Sequence, residues 1–327
     1  MNNKWTKIII LYFWNLMEIY YQIDGFKAKN PVVTIGTFDG VHLGHRKILK
    51  RLKEIAREIG GETVLFTFYP HPRLSLNPQE KTIRLLTTLE EKIVQLEKAG
   101  IEHLIIYPFT KEFSELSYTE FVESILVGKI KTSCLVVGHD HKFGKNREGG
   151  FEYLKAYAEK YHFRIERIDA LMLDSINISS TKIRKALQSG DIEEANKYLG
   201  YEFTLHGKVV KGKQVGSRIG FPTANIEASD IHKIIPGYGV YAVRVDIQGK
   251  VYNGMLNIGT RPTFNKNADN RSIEVNIFDF DKDIYHQNIT LCFVRKIREE
   301  KKFNSPEALT EQLEKDKKAA LAILQKA

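Results

Sequence analysis

The segment 32–48, VVTIGTFDGVHLGHRKI, is the part of this sequence that most constrains the fold. It opens with a β-branched apolar run, reaches a glycine at Gly36 and passes through the turn-forming pair Asp39-Gly40. From Gly44 onward, apolar residues recur every three or four positions as far as Ile59, which is the period of a helix. The segment therefore predicts a strand, a tight turn and a helix in direct succession.

Two histidines in this turn indicate an anion site. The free N–H groups of a helix start and the positive end of the helix dipole both favour a phosphate. His42 and His45 are three positions apart, so both imidazoles can face one point, and Gly44 between them has no Cβ to block the approach. The pattern resembles the nucleotidyltransferase superfamily, in which it holds the phosphates of a nucleoside triphosphate.

Strands and helices alternate through the first half of the chain. Further strands are predicted at 62–68, 103–107, 134–137 and 163–168, with helices at 89–98, within 113–127 and at 153–161. This alternation predicts a parallel sheet that is covered on both faces. The YPHPR segment and the glycine-rich basic loop 138–150 each follow a strand, at the edge where ligands bind such sheets.

The segment ISSTKIR predicts a second phosphate site. Ser179 or Ser180 caps a helix whose first turn contains Thr181, and Arg184 follows one turn later. Hydroxyl groups, free N–H groups and a cation at one helix start suit a phosphate.

The pattern changes at Phe203. Five segments of strand character follow with short turns and no helix between them, at 203–210, 240–247, 251–259, 272–280 and 289–297. They predict an antiparallel barrel, closed by a long C-terminal helix that Ser305 caps and Pro306 begins. We therefore predict a Rossmann-like, nucleotidyltransferase-like α/β domain at 1–186, a linker helix at 187–201 and a barrel domain at 202–327.

The barrel half contains its own candidate phosphate chemistry. The segment 207–225 is rich in glycine and lysine and ends in PTAN, where Thr223 and Asn225 offer the hard oxygen ligands that suit Mg²⁺. Glu274 is a candidate general base in the strand SIEVNIFDF. Strand alternation places Glu274, Asn276 and Phe278 on one face, but it leaves open whether that face is buried or solvated.

Composition narrows the class of protein. The 327 residues carry a net charge of +9, but the basic residues are scattered, so anionic small molecules fit as well as nucleic acid. The apolar run within residues 1–16 is too short to span a bilayer, and we interpret those residues as an extension. Cys134 and Cys292 cannot form a disulfide framework. We expect a cytoplasmic protein with small-molecule partners and with neither nucleic acid nor a membrane; the oligomeric state stays open.

The order of the motifs resembles the prokaryotic bifunctional riboflavin kinase/FAD synthetase family. The resemblance covers some nine ordered blocks between Val32 and the C-terminal helix. They are GTFDGVHLGH, TFYPHPR, VGHDHKFG, ISSTKIR, GFPTAN, PGYGVYAV, NIGTRPTF, EVNIFDFDKDIY and IREEKKF.

The resemblance implies two reactions. Riboflavin and ATP give FMN in the barrel module, and FMN and a second ATP give FAD and pyrophosphate in the α/β module, with Mg²⁺ as cofactor. It implies catalytic roles for His42, His45 and Arg184 in the second reaction and for Glu274 in the first, and it places Mg²⁺ on Thr223 and Asn225. The implied ATP contacts are Gly36, Thr37, Phe38, Asp39, Gly44, Ser180 and Thr181, together with Gly207, Lys208, Gly212 and Gly220 in the barrel. The implied flavin contacts are Pro70, His71, Pro72 and Asp140.

Two positions depart from the family pattern. His141 stands where the family has an aromatic residue, and Tyr69 replaces an acidic or small residue before PHP. The resemblance puts both on the flavin side of the α/β module, so it predicts the ATP chemistry of that module more firmly than its affinity for flavin. Two other classes of function compete with this interpretation: a nucleotidyltransferase that acts on another small molecule, and a basic nucleic-acid-binding protein whose barrel stacks bases.

Overall fold

The computed structural model describes residues 17–76, 83–138, 144–145, 149–168, 178–212, 216–260 and 271–326. The described residues form two compact units. The first contains residues 17–37, Ile48–Ser75 and Leu96–Ile168. The second contains Phe38–Lys47, Leu76–Gln95 and the part of the chain that follows Ile168. The predicted extension 1–16 lies outside the described residues.

The first unit is built on a six-stranded sheet in the order β1-β4-β3-β2-β5-β6. Its strands are β1 (Glu18–Tyr20), β2 (Val32–Ile35), β3 (Thr63–Tyr69), β4 (His103–Pro108), β5 (Cys134–Gly138) and β6 (Arg164–Ile168). Every neighbouring pair is parallel, which confirms the predicted sheet. β2 pairs with β3 on one side and β5 on the other, and the chain changes direction across the sheet between β2 and β5, where ligands of such sheets bind.

Between these strands, the described residues form seven helical segments. They are α1 (Leu43–Ile59), α2 (Pro72–Leu76), α3 (Leu89–Lys98), α4 (Lys111–Ser114), α5 (Tyr118–Glu120), a π-helix (Phe121–Ile130) and α6 (Phe151–Tyr161). The helix predicted within 113–127 is thus mostly π-helical. A capping box between Ser117 and Glu120 starts it, and its apolar side packs on sheet residues such as Val33 and Phe66.

The second unit contains a closed barrel in the order β10-β11-β8-β7-β12-β9. Its strands are β7 (Phe203–Val210), β8 (Ala224–Ala228), β9 (Gly239–Ile247), β10 (Lys250–Thr260), β11 (Arg271–Ile277) and β12 (Asn288–Arg298). All pairs are antiparallel, which confirms the predicted barrel. β8 was not predicted from the sequence, because this five-residue strand begins within PTAN, which has the composition of a turn.

Among the described residues that follow β6, three α-helices and one 3₁₀-helix accompany the barrel. They are α7 (Ser180–Ser189), α8 (Ile192–Leu199), α9 (Pro306–Leu324) and the 3₁₀-helix Gly216–Ile219. The side chain of Ser305 accepts the Ala308 backbone N–H and Pro306 stands in the first turn, so the predicted cap of α9 is confirmed. Ala320 and Leu324 of α9 pack on Met255 and Phe278 of the barrel. Since the barrel interior is filled by other side chains, including Leu205, Leu256 and Val275, α9 covers part of the outer barrel wall.

Candidate active sites

The histidine turn, Phe38–Lys47, connects β2 to the first turn of α1 and lies in the second unit. Its backbone is unusual, because Phe38, Gly40 and Val41 have positive φ angles of 45°, 86° and 35°. A Cβ at Gly40 would lie 2.7 Å from Leu86 Cδ1, so this position needs glycine for its conformation and for its packing. The turn is therefore held in its shape by the residues packed around it.

The two histidines of the turn form a stacked pair. Their ring centroids are 3.7 Å apart and their planes are 15° apart. The backbone N–H of His45 donates to His42 Nδ1 over 3.3 Å, so neutral His42 carries its proton on Nε2. His45 Nδ1 is buried and has no hydrogen-bond partner among the described residues. The structure thus brings the two predicted imidazoles together.

Burial keeps both imidazoles neutral. Burial, with help from the Arg184 charge, lowers the pKa of His42 from 6.5 to about 4. The pKa of His45 is also well below its ordinary value because of burial and the neighbouring His42 and Lys92. Near neutral pH the pair can offer oriented N–H donors to a phosphate, but not positive charge.

Asp39 and Arg184 form a buried ion pair beside the turn. The Asp39 carboxylate accepts the backbone N–H groups of Leu86 at 2.9 Å and Thr87 at 3.1 Å, and it also accepts the Arg184 guanidinium. Arg184 donates from Nε to the Arg84 carbonyl at 2.7 Å. Asp39 and Arg184, both predicted as site residues, therefore bind each other, and their hydrogen bonds to neighbouring backbone groups hold the turn in place.

The starts of α1 and α7 meet at Asp39. Ser180 Oγ donates to the Asp39 carbonyl over 3.1 Å, while Ser179 caps α7 by accepting the Lys182 N–H. Thr181, in the same first turn, is exposed. The two helix starts that the sequence analysis identified separately thus belong to one site.

Lys92 is a functional candidate that the sequence analysis missed. It is only 6 % exposed, and burial lowers its pKa to about 8. Its charge acts on both His45 and Asp39. In sequence it is one of several charged residues in a predicted amphipathic helix, and no local signal separates it from a solvated lysine.

The first unit contains further residues that were predicted from the sequence to take part in adenylyl transfer. Gly36 and Thr37 continue β2, and Thr67 of β3 donates to the Thr37 carbonyl over 3.4 Å, so the ends of β2 and β3 are adjacent. The three predicted flavin contacts follow at the same edge of the sheet, after a cis peptide bond between Tyr69 and Pro70. They are Pro70, His71 and Pro72. Asp140 and His141 lie outside the described residues.

Glu274 faces a cavity in the barrel unit. It pairs in register with Asn225 of β8 and Asn257 of β10, and its Oε2 lies 3.5 Å from Thr223 Oγ1. The cavity is about 240 Å³, and Leu309 and Leu313 of α9 line one side of it. The neighbours of Glu274 along the strand fill the barrel interior. Glu274 therefore lies on the outer wall of the barrel, under the C-terminal helix. Strand alternation left open whether this face is buried or solvated, and in the structure Glu274 is partly buried.

A second cavity meets the first at Thr223. It has a volume of about 420 Å³ and is lined by Val209, Pro222 and Ala224 and by the segment from Phe280 to Tyr285. Thr223 lines both cavities. The arrangement provides two adjacent spaces with the Thr223 hydroxyl at their common wall. Two carboxylates, Glu274 and Glu300, line the smaller space, and Glu274 is the one that lies beside Thr223.

The glycines of the barrel segment have different surroundings. A Cβ at Gly212 would lie 2.0 Å from Asn225 Nδ2, so the Gly212 backbone is in direct contact with this predicted metal ligand. A Cβ at Gly207 would lie 2.4 Å from Ile226 Cγ2, so the packing of β7 on β8 accounts for that glycine. Gly220 has a φ of 80°, and Lys208 is exposed. The ATP contacts predicted for these four residues stay predictions.

The oxygen donors fit the predicted metal. Thr223 and Asn225 each supply a neutral oxygen, and Mg²⁺ prefers oxygen ligands while it keeps several waters and binds phosphates. Within the described ranges, no group of three His, Cys, Asp or Glu side chains is arranged to hold a metal ion. A Mg²⁺ ion at Thr223 and Asn225 would thus take most of its ligands from water and substrate.

The fold and these two sites define an enzyme with a nucleotidyltransferase-like α/β part and a barrel part. The FAD synthetase family model matches residues 26–182, and the riboflavin kinase family model matches residues 199–324. The chain belongs to the bifunctional riboflavin kinase/FMN adenylyltransferase family, which confirms the resemblance seen in the sequence. The exact domain boundaries stay a prediction.

Relatives and solved structures extend this match to nearly the whole chain. The bifunctional riboflavin kinase/FMN adenylyltransferase of Listeria monocytogenes is 41% identical over 93% of this chain and 95% of its own length. The Bacillus subtilis protein of the same name is 40% identical over 92% and 95%. A crystal structure described as a macrolide-efflux protein from Streptococcus pneumoniae shares the fold, with a TM-score of 0.82, 30% identity and coverage of 93% and 98%. Within the part of this chain that the structure describes, no helix has the length and apolar character needed to cross a bilayer.

Proposed function

We propose that this chain phosphorylates riboflavin to FMN in the barrel cavities and adenylylates FMN to FAD at the histidine turn. The observation that carries the kinase half is the approach of Thr223 to Glu274, 3.5 Å apart, where two cavities meet. A phosphoryl acceptor and a nucleotide donor need two such adjacent spaces, because the attacking and leaving oxygens must lie on opposite sides of the phosphorus.

In the kinase reaction, a ribityl hydroxyl of riboflavin attacks the γ-phosphorus of ATP and ADP leaves. The hydroxyl must lose its proton, and in this proposal Glu274, which lines the smaller cavity beside Thr223, accepts it. Apolar residues of the smaller cavity, including Phe221 and Met255, suit the isoalloxazine ring, and the larger cavity suits the nucleotide. Thr223 and Asn225 would hold Mg²⁺, which neutralises phosphate charge when bound.

In the adenylyl transfer, a phosphate oxygen of FMN attacks the α-phosphorus of a second ATP and pyrophosphate leaves. The FMN phosphate is already an anion, so the reaction needs orientation and charge stabilisation rather than a strong base. His42 and His45 supply N–H donors at the start of α1, and Lys92 supplies nearby positive charge. Arg184 acts through Asp39 to hold the turn. The proposal keeps Pro70, His71, Pro72 and Asp140 as the flavin contacts that the family resemblance implies.

The remaining expectations belong to the same proposal. The protein acts on small molecules in the cytoplasm, with ATP as co-substrate and Mg²⁺ as cofactor, and it does not use nucleic acid. The scattered basic residues support this, because nucleic-acid binding generally needs a concentrated basic surface. If RNA bound with an affinity that fell steeply between about 50 and about 200 mM salt, that part of the proposal would be wrong.

Chromatography of the products tests the two activities. Purified protein is incubated with riboflavin, ATP and MgCl₂, and samples are separated over time. FMN should appear first and FAD second, and supplied FMN with ATP should yield FAD and pyrophosphate. EDTA should stop FMN formation. A preparation that makes neither flavin nucleotide overturns the proposal.

A further inference from the structure

The histidine turn packs against residues within 199–324, the part of the chain that the riboflavin kinase family model matches. Tyr201 Oη donates to the carbonyl of Gly40 over 2.7 Å, and the Arg46 guanidinium lies 5.3 Å from the centre of the Tyr201 ring. A Cβ at Gly200 would lie 2.4 Å from Leu43 Cδ2, so the turn packs directly on the backbone that precedes β7. All of these residues lie in the second unit.

A second contact reaches the turn from the barrel side through Leu86. Lys233 Nζ donates to the Leu86 carbonyl at 2.7 Å, and the Leu86 N–H donates to Asp39 Oδ1 at 2.9 Å. Lys233 also pairs with Glu91 at 2.5 Å, and both side chains are about as buried as any in the barrel core, 1% and 2% exposed. Leu86 therefore links Lys233 to the Asp39 carboxylate of the histidine turn through two hydrogen bonds.

Backbone hydrogen bonds strengthen the same connection. The N–H of Leu85 donates to the His232 carbonyl at 2.7 Å, and the N–H of Ile234 donates to the Leu85 carbonyl at 2.9 Å. The segment on either side of Lys233 thus pairs with the segment that binds Asp39. A turn with several residues at positive φ keeps its conformation only if its neighbours determine it.

We propose that Tyr201 and Lys233 are positioning residues for FMN adenylyl transfer, although both lie outside the FAD synthetase match at 26–182 and inside the riboflavin kinase match at 199–324. This inference rests on the proposed function of the histidine turn. Neither residue lines the two barrel cavities, so their loss should affect the transferase and spare the kinase.

Tyr201→Phe in the full chain is the first test, since it removes one hydroxyl and keeps the ring under Arg46. We expect kcat/KM for FAD formation to fall about tenfold, and the KM for ATP to rise more than the KM for FMN, because the turn orients the nucleotide. Riboflavin phosphorylation should be little changed. Tyr198→Phe, which removes a hydroxyl from α8 without touching the turn, is the matched control and should change neither reaction.

Lys233→Met leaves Glu91 buried without its cation, so the variant is paired with Lys233→Met/Glu91→Leu, which removes both charges. The double variant still lacks the bond to the Leu86 carbonyl, and FAD formation should again fall about tenfold or more while FMN formation persists. Equal losses in both reactions, or unchanged FAD formation in Tyr201→Phe and the double variant, would overturn the inference. If the unsubstituted protein makes no FAD, the proposed function itself fails, and the two results are distinguishable.

Discussion

Thr223 Oγ1 lies 3.5 Å from Glu274 Oε2, at the wall that two barrel cavities share. This places Glu274, the carboxylate predicted as the base, beside the predicted metal ligand Thr223. We predict that Glu274→Gln lowers the rate of FMN formation by about 10² to 10⁴, the usual contribution of a general base. FAD formation from supplied FMN should be little changed. Initial rates from chromatography measure both.

Glu227→Gln is the matched control, because Glu227 lies on the neighbouring strand β8 but is exposed to solvent. It should change neither rate. If Glu274→Gln slows both reactions to the same extent, the carboxylate serves the folded state rather than one reaction, and its role as the base is wrong.

A second prediction concerns the buried pair Asp39–Arg184, whose side chains are 4% and 19% exposed. Arg184→Met leaves the Asp39 charge buried without its partner, and we expect it to lower the free energy of unfolding by about 3 to 5 kcal/mol. Asp39→Asn should destabilise through the same pair. The double variant should lose less free energy of unfolding than the two single variants lose in sum. The difference, the coupling energy, should be on the order of 1 to 3 kcal/mol. Urea unfolding of the four proteins gives these values.

The exposed pair Arg295–Glu193 serves as the comparison, since both side chains are about half exposed. The cycle of Arg295→Met and Glu193→Gln should give a coupling below about 1 kcal/mol. If the losses in free energy of unfolding caused by Asp39→Asn and Arg184→Met simply add in the double variant, the two side chains do not stabilise the folded protein as a pair.

Much of the architecture could be predicted because it depends on local periodicity. The change from a β-branched run to helical spacing around Gly44 identified β2, the turn and α1. The alternation of strands and helices identified the parallel sheet, and the succession of strands after Phe203 identified the barrel. The short strand β8 was missed because it is only five residues long and begins within the turn-like segment PTAN.

The candidate sites could be predicted only in part, because side-chain partners are set by distant segments. The sequence identified His42, His45 and Glu274 by motif, but it did not show that Asp39 binds Arg184 or that Lys92 is buried. Nor did it show which face of β11 Glu274 occupies. That depends on α9 covering the outer wall of the barrel, an arrangement that no period in β11 encodes.

The histidine pair should make stability depend on pH. The pKa of His42 is lowered from 6.5 in the unfolded chain to about 4 in the folded one, so below pH 6.5 the unfolded state binds the proton more readily. This contribution to stability is complete above pH 6.5 and is lost as the pH falls towards 4. We predict that between pH 6.5 and 4.5 the free energy of unfolding falls by on the order of 2 kcal/mol more in the unsubstituted protein than in His42→Asn.

His162→Asn is the control for this measurement. His162 is exposed at the end of α6 and has a φ of 58°, a conformation that asparagine tolerates. The variant should keep the pH dependence of the unsubstituted protein. An unchanged slope in His42→Asn would show that His42 is not buried as a neutral imidazole.

A substitution at Gly212 tests the predicted metal ligands without replacing either of them. A Cβ at Gly212 would lie 2.0 Å from Asn225 Nδ2, so Gly212→Ala must displace the Asn225 side chain or the segment that carries Gly212. If Asn225 holds Mg²⁺, the Mg²⁺ concentration that gives half-maximal FMN formation should rise by about 10- to 100-fold, the usual effect of disturbing a ligand's support. Gly150→Ala is the control, because a Cβ there would have no heavy atom within 4 Å. If the rate of FMN formation instead falls by the same factor at every Mg²⁺ concentration, and the concentration for half-maximal rate does not change, Asn225 lies outside the metal site.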